Sequence, residues 1–405
     1  MKKILNLSRF NGKKTWAGSI LVLAVLSMLT LSITPAYAIK AWAAKHNMTC
    51  NACHVGPGSG PLTLTGQNFQ RNGFRMTGED KSTSDWAKLF SFNVKLRAHD
   101  SNAAGRNATF EAHAVELFSG GNLSKHFSYF TELYLYENTG RTTSAVNSDL
   151  GRGKLADAYL MYNSHPSREI YTTVRFGQIT PGLPDSGPRF SETRPYIINN
   201  SAVSPNTFRP FQRNFGVSIA QHLKSFHAEF SLVNGTGSSP TNSIDTNETK
   251  DFYLVLDQDL GQSTNIGAFG YKGRGVIIPS SGFAWENRFH RYGAFAQISM
   301  GQLSFLGMVS GGREQLTPQG RKAKNLGLLG EAAFMVTDKL SLFGRYDFFD
   351  PNQEMANDHW SGPMVGAGYA FADSGRVTFE YHKQGKFVST GNMPWEYRVE
   401  VAFMF

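Results

Sequence analysis

Trp395-Glu396-Tyr397-Arg398-Val399-Glu400-Val401-Ala402-Phe403-Met404-Phe405 alternates with period two. Trp395, Tyr397, Val399, Val401, Phe403 and Phe405 fall on one face, and Glu396, Arg398 and Glu400 on the other. Successive side chains of a strand point to opposite sides, so this is a strand with one apolar and one charged face. The pattern recurs upstream. Val377, Phe379 and Tyr381 alternate with Arg376, Thr378, Glu380 and His382. Leu340, Leu342 and Tyr346 alternate with Lys339, Ser341, Arg345 and Asp347, and Phe90, Phe92, Val94 and Leu96 with Ser91, Asn93, Lys95 and Arg97.

About sixteen such segments run between residues 87 and 405, each about ten residues long, the length a tilted strand needs to cross a bilayer. They begin near Leu89, Phe110, Phe127, Leu155, Ile170, Asn214, Phe226, Phe252, Asn265, Arg288, Leu303, Leu326, Leu340, Met364, Val377 and Trp395. Short connections (163–168, 221–224, 259–263, 336–339, 372–375) alternate with long ones (138–153, 180–212, 234–249, 273–286, 311–325, 350–361, 383–394). An even-numbered antiparallel meander with short turns at one rim and longer external loops at the other is the plan of an outer-membrane β-barrel. A soluble sandwich or lipocalin-like barrel would turn its apolar face inward and would not carry long aromatic outer faces in water. A terminal Phe closing an aromatic strand resembles the assembly signal of such barrels. The expected fold is therefore all-β, a roughly 16-stranded antiparallel transmembrane barrel, with both ends of the barrel at the short-turn, periplasmic rim.

Residues 1–38 read as an export signal. Lys2, Lys3, Arg9, Lys13 and Lys14 form a basic start, an apolar run follows, and Ala36-Tyr37-Ala38 offers a cleavage site before Ile39. The signal carries five of the basic residues and no acids, so the formal net charge of +9 falls to about +4 in the mature chain, which excludes a nucleic-acid partner. After the signal no apolar run is long enough for a membrane helix.

The segment from 39 to 86 carries different chemistry. Cys50-Asn51-Ala52-Cys53-His54 uses the only two cysteines of the chain. Two thiols at this spacing add to the two vinyl groups along one edge of a porphyrin, and the next residue, His54, sits under the iron as proximal ligand. A zinc ribbon needs a second Cys pair, which is absent. A thioredoxin-like pair wants a strand–helix context, which Gly56, Pro57, Gly58, Gly60 and Pro61 break. A Cys50–Cys53 disulfide would leave His54 a coincidence. The reading is one covalent haem c. Downstream, Thr65 can cap a short helix with Phe69 inward and Gly73 as its stop. The segment is too short to bury a core of its own, so it is expected to plug the barrel lumen or cap its mouth.

Met48 to His54, Leu62-Thr63, Gly66, Phe69 and Asn72-Gly73-Phe74, followed by a barrel in the same polypeptide, resemble the fused monohaem cytochrome–porins of iron-oxidising bacteria. The residue-level likeness covers about thirty positions near the haem word; the order of parts covers the whole chain. The resemblance implies electron transfer across the outer membrane, with Fe(II) as extracellular donor and a soluble periplasmic c-type cytochrome as partner. The Gly-rich linker after His54 departs from the bulkier linkers of that family, which bears on the donor more than on the architecture.

The sixth iron ligand is open. Met76 follows the covering helix and is the first candidate as distal ligand; its bland role is packing. His46 is the second, Met48 also lies in the segment, and His99 or His382 would approach from the lumen wall. Single strand histidines are usually solvated lumen residues. The polar faces suggest an ion-paired lumen holding the plug, and no loop holds a compact metal-ligating cluster. Three functions remain: an electron conduit running inward or outward, a porin with a haem-bearing gate or redox sensor, and a ligand-binding haem protein.

Overall fold

The computed structural model describes residues 39–56, 59–76, 78–79, 89–102, 108–138, 154–166, 168–180, 182–184, 189–191, 193, 195–235, 248–279, 282–372, 374–383, 385–386 and 394–405. The export signal over 1–38 lies outside them.

Sixteen antiparallel strands close into one barrel. In chain order they are β1 (Phe90–Ser101), β2 (Thr109–Asn122), β3 (Phe127–Glu137), β4 (Lys154–Asn163), β5 (Ile170–Ile179), β6 (Asn214–Leu223), β7 (Phe226–Val233) and β8 (Asp251–Leu260). There follow β9 (Thr264–Ile277), β10 (Trp285–Met300), β11 (Leu303–Gln315), β12 (Lys322–Thr337), β13 (Leu340–Asp350), β14 (Trp360–Ala372), β15 (Gly375–Lys383) and β16 (Trp395–Met404). A two-residue bridge, Gly385–Lys386, pairs with the start of β14. Every strand pairs with its sequence neighbour, and β16 returns to β1 with Val401 opposite Leu96. Phe405 completes the seam: Phe92 and Phe405 exchange backbone hydrogen bonds of 2.7 and 2.9 Å, and their rings stack at 5.7 Å.

The alternation of the sequence becomes an inside and an outside. Glu396, Arg398 and Glu400 are buried, while Tyr397 on the same strand is 43% exposed. On β8, Phe252, Leu254 and Leu256 face out, and Tyr253, Val255 and Asp257 face in. On every strand the outward set includes exposed Leu, Phe, Ile, Val or Tyr, which fits hydrocarbon and not water. Among the described residues no helix is long and apolar enough to cross a membrane; the strands do the crossing.

All sixteen segments expected from periodicity are present, and Phe127, Ile170, Asn214, Phe226, Leu303, Leu340 and Trp395 begin strands as read. From β9 to β12 the strands run longer, 13 to 16 residues, so the connections there shrink to 278–284 and 316–321. One expected external loop is not external. The 180–213 connection between β5 and β6 folds into the lumen, where Tyr196, Ile198 and Phe208 join the inward-facing Tyr253, Phe269, Tyr271 and Phe289 in one buried cluster. Tyr196 donates to Glu331 at 2.8 Å, and Arg398 donates to the Thr193 carbonyl at 2.8 Å. Apolar side chains of this loop pack on apolar patches of the inner wall; loop length and composition alone do not say which way a loop folds.

Candidate functional site

The N-terminal segment sits inside the short-turn mouth of the barrel. Its first element, α1 (Lys40–His46), was not anticipated, although Ile39, Trp42, Ala43 and His46 stand at i, i+3, i+4 and i+7, the spacing of one helical face. All four line the same cavity. A 3-10 turn (Cys50–Ala52) follows, then a small hairpin in which His54 pairs with Leu62 and Gly56 with Ser59. The covering helix α2 (Leu64–Arg71) comes next.

The N-cap of α2 is Thr63, not Thr65. Its hydroxyl accepts from Gly66 N at 3.2 Å and donates to the Ala52 carbonyl at 3.0 Å, while its own N–H donates to the Cys53 carbonyl at 2.9 Å. Thr63 therefore ties the helix start to the Cys50–Cys53 turn, and two residues later Thr65 is exposed inside the helix. A Cβ on Gly66 would lie 2.3 Å from the Cys53 carbonyl oxygen, so only glycine lets the helix rest on that turn. The expected stop holds: Gly73 has φ +72° just after the C-cap Asn72.

Individual side chains anchor the segment to the wall. Trp42 Nε1 donates to the Gly120 carbonyl at 2.9 Å, and Asn163 Nδ2 donates to Asn72 Oδ1 at 2.8 Å. Arg75, 1% exposed, donates to the carbonyls of Ser124 and Phe127 in the β2–β3 turn. Burial pulls its guanidinium below the usual range, with Glu79 opposing. Arg71 forms a 2.7 Å ion pair with Asp257 and lies 3.7 Å from Asp259. Its socket is a set that sequence reading missed. His227, Asp257 and Asp259 are buried, with ligand atoms within 4.8 Å of one another. His227 stands opposite Asp257 across the β7–β8 ladder. Only the strand register brings them together, and the Arg71 guanidinium fills the place a cation would take.

The cavity has a volume of about 510 Å³, within the roughly 300–1,000 Å³ of ligand sites. Cys50, Cys53, His54, His46, Met48 and Met76 all line it, with Trp42, Phe69 and Phe74 as aromatic walls. Trp42 stacks on Phe74 at 4.4 Å and meets Phe69 edge-on at 5.5 Å. The lumen candidates His99 and His382 do not line it; they lie 4.0 Å from Glu111 and 3.8 Å from Glu396. Along the wall the cavity reaches from Gly375 and Met404, at the short-turn rim, to Asp157 and Thr180, close to the long-connection rim. Gly182, Leu183, Pro184 and Arg189 of the inward loop complete its lining.

Four observations test whether these residues suit a covalent haem. Cys50 and Cys53 form no disulfide and share the cavity with an aromatic wall; burial pushes the Cys53 thiol up. His54 Nδ1 lies 3.0 Å from the Gly60 carbonyl oxygen. A carbonyl only accepts, so Nδ1 carries the proton and Nε2 keeps the lone pair, the tautomer an iron ligand needs. His46 Nε2 is buried without a hydrogen bond, with a Glu79 oxygen at 3.6 Å. Burial lowers the affinity of this imidazole for a proton, against Glu79. Met76 packs partly buried against the cluster that contains Phe69 and Phe74. The donor set fits.

Comparison with known proteins bears on the barrel. No family model and no curated protein matches the chain. Among solved structures, the outer membrane channel DcaP of Acinetobacter baumannii superposes with TM-score 0.56 at 11% identity, over 82% of this chain and 99% of that one. OmpT of Vibrio cholerae, in its trimer form, gives 0.56 at 11%, over 80% and 100%. The anion-selective porin from Comamonas acidovorans gives 0.55 at 12%, over 78% and 98%. At such identities the likeness is one of fold. Together with the lipid-facing belt, it makes the chain an outer-membrane barrel of porin type.

Proposed function

We propose that this barrel is an outer-membrane electron conduit. It passes electrons between an extracellular donor, Fe(II) by preference, and a soluble periplasmic c-type cytochrome. The short-turn mouth faces the periplasm, and the site belongs to one haem c. A haem attached at Cys50 and Cys53, with His54 as proximal ligand, supplies a one-electron couple. His46 and Met76 stand as the distal candidates on the same cavity, and a methionine there would raise the potential relative to histidine. The chain does the rest. Trp42, Phe69 and Phe74 exclude water from one side, and α2 rests on the attachment turn through Thr63 and Gly66. The barrel anchors hold the segment in the mouth.

The observation that carries the reading is the continuity of one cavity. The attachment residues at one rim and Asp157 and Thr180 near the other line the same space, with Leu183, Pro184 and Arg189 of the inward loop as part of its lining. The order of parts resembles the fused cytochrome–porins, and that likeness favours Fe(II) and the inward direction.

The polar, ion-paired lumen favours a second reading, a diffusion channel with a haem-bearing gate. Two measurements decide. Covalent haem is determined on the purified barrel, then the oxidised protein is mixed anaerobically with Fe(II) and haem reduction is followed optically. Reduction in a barrel that does not conduct ions in planar bilayers is expected. No reduction at a permissive potential removes iron as donor, and a freely conducting holoprotein supports the gated channel.

A further inference from the structure

The 180–213 connection is rooted at the rim opposite the haem segment, yet its Phe190 reaches that segment. Phe190 is 2% exposed and stacks on Phe343 at 6.2 Å. It shares a buried cluster with Ala333 and Met364, against which Val55, the neighbour of His54, packs. Arg376 donates to the Phe190 carbonyl at 2.8 Å. The ring is thus held by β12, β13 and β14 on one side and meets the haem segment on the other.

Gly60 is the contact point. A methyl on its Cα would stand 3.3 Å from Phe190 Cε1 and 2.9 Å from Gly56 N, and its φ of +103° also favours glycine. The carbonyl of this residue is the acceptor of the His54 Nδ1 hydrogen bond. A short chain of contacts therefore runs from the inward loop through Gly60 to the imidazole. Leu183, Pro184 and Arg189 of the same loop line the cavity itself.

We propose that Phe190 is a positioning residue for the haem iron: by backing Gly60 it holds the carbonyl against His54 Nδ1, so the inward loop, rooted at the far rim, tunes the potential of the haem. The proposal rests on the haem reading. An imidazole whose Nδ1–H is held by an acceptor donates more charge through Nε2 and stabilises the oxidised metal. Loosening the carbonyl therefore raises the potential. Any rearrangement of the loop at the far rim reaches the iron by the same contacts.

The test uses the full chain in detergent, as wild type, Phe190→Ala, Phe190→Val and Phe208→Ala. Phe208 is an equally buried aromatic of the same loop that packs on Tyr271 and Phe289, away from Gly60. Haem per chain, midpoint potential and the electron paramagnetic resonance spectrum of the oxidised form are read. Phe190→Ala is expected to keep its haem and to shift the reduced-to-oxidised ratio at fixed potential about tenfold toward reduced, ~59 mV upward for one electron. Phe190→Val should shift the same way by less, and Phe208→Ala should match wild type. Wild-type potential and spectrum in Phe190→Val overturn the proposal, including the case where Phe190→Ala does not assemble. An equal shift in Phe208→Ala also overturns it, since generic loop packing would then be the cause. Absence of covalent haem from wild type would instead sink the conduit reading itself.

Discussion

The barrel wall and the segment seated in its mouth are built on opposite terms. Each wall strand is bonded to two neighbours along its length; β11 alone has thirteen register partners on β12, from Leu303 to Gln315. Such a ladder satisfies the backbone whatever single side chain is changed. The mouth segment has two short helices and a hairpin with two register pairs. Its position rests on named side chains: Trp42, Arg71, Asn72 and Arg75. The wall is therefore specified by a repeated pattern, and the segment by individual residues. Mutations should reveal that difference, since they spread out in one region and concentrate in the other.

The largest effect is expected from Cys50→Ala combined with Cys53→Ala. A segment as short as 39–86 is marginal as a core of its own, so on the haem reading loss of the covalent group should abolish haem staining on denaturing gels and open residues 39–79 to protease. The barrel should still show the heat-dependent gel mobility of a folded β-barrel. A barrel that fails to assemble without the cysteines would show that the two regions do not form separately.

Arg71→Met comes next. It leaves Asp257 and Asp259 buried, 8% exposed each, without their cation. Breaking a buried pair by removing one partner costs roughly 3–5 kcal/mol, and the low end applies because the Arg71 side chain keeps 19% of its exposure. The loss should fall on docking of the segment, read as faster proteolysis of residues 39–79 with the barrel transition unchanged. Arg71→Met with Asp257→Asn should recover part of it.

How much of this was legible follows from the same contrast. Period-two alternation is a property of the residues alone, so the strands and the lumen side of Arg376, Glu380, Arg398 and Glu400 could be read directly. The Cys-x-x-Cys-His word was equally plain, because its spacing is fixed in the sequence, and the structure brings Cys50, Cys53 and His54 to one cavity. What escaped depends on tertiary context. His227 meets Asp257 only through register. Thr63, not Thr65, caps α2, because the Cys53 carbonyl holds Thr63 N. The 180–213 loop turns inward because Tyr196, Ile198 and Phe208 have an apolar patch to fill, and no local signal announces that patch. Helix α1 was missed for a weaker reason: the helical spacing of Ile39, Trp42, Ala43 and His46 was there, but the run of seven residues is short.

A change on the wall gives the third effect. Leu254 is 42% exposed in the middle of β8 and faces lipid. Leu254→Arg should cost about 2–4 kcal/mol near the bilayer midplane, measured by denaturant unfolding in lipid vesicles. Haem content of the assembled fraction should equal wild type, because the inner face of β8 is unchanged. A loss of haem in assembled Leu254→Arg barrels would show that wall and segment are coupled more tightly than their contacts imply.

The smallest effect isolates the joint between the attachment turn and its covering helix. Thr63→Ala removes the side chain that accepts from Gly66 N and donates to Ala52 O. Loss of an N-cap costs ~1 kcal/mol, well below the stability of a closed barrel, so unfolding curves should overlay those of wild type. The change should appear only as about fivefold faster amide hydrogen exchange at α2, consistent with 1 kcal/mol of local opening. Thr63→Ser keeps both hydrogen bonds and should restore protection. If Ser fails to restore it, the methyl group of Thr63, and not its hydroxyl, holds the helix on the attachment turn.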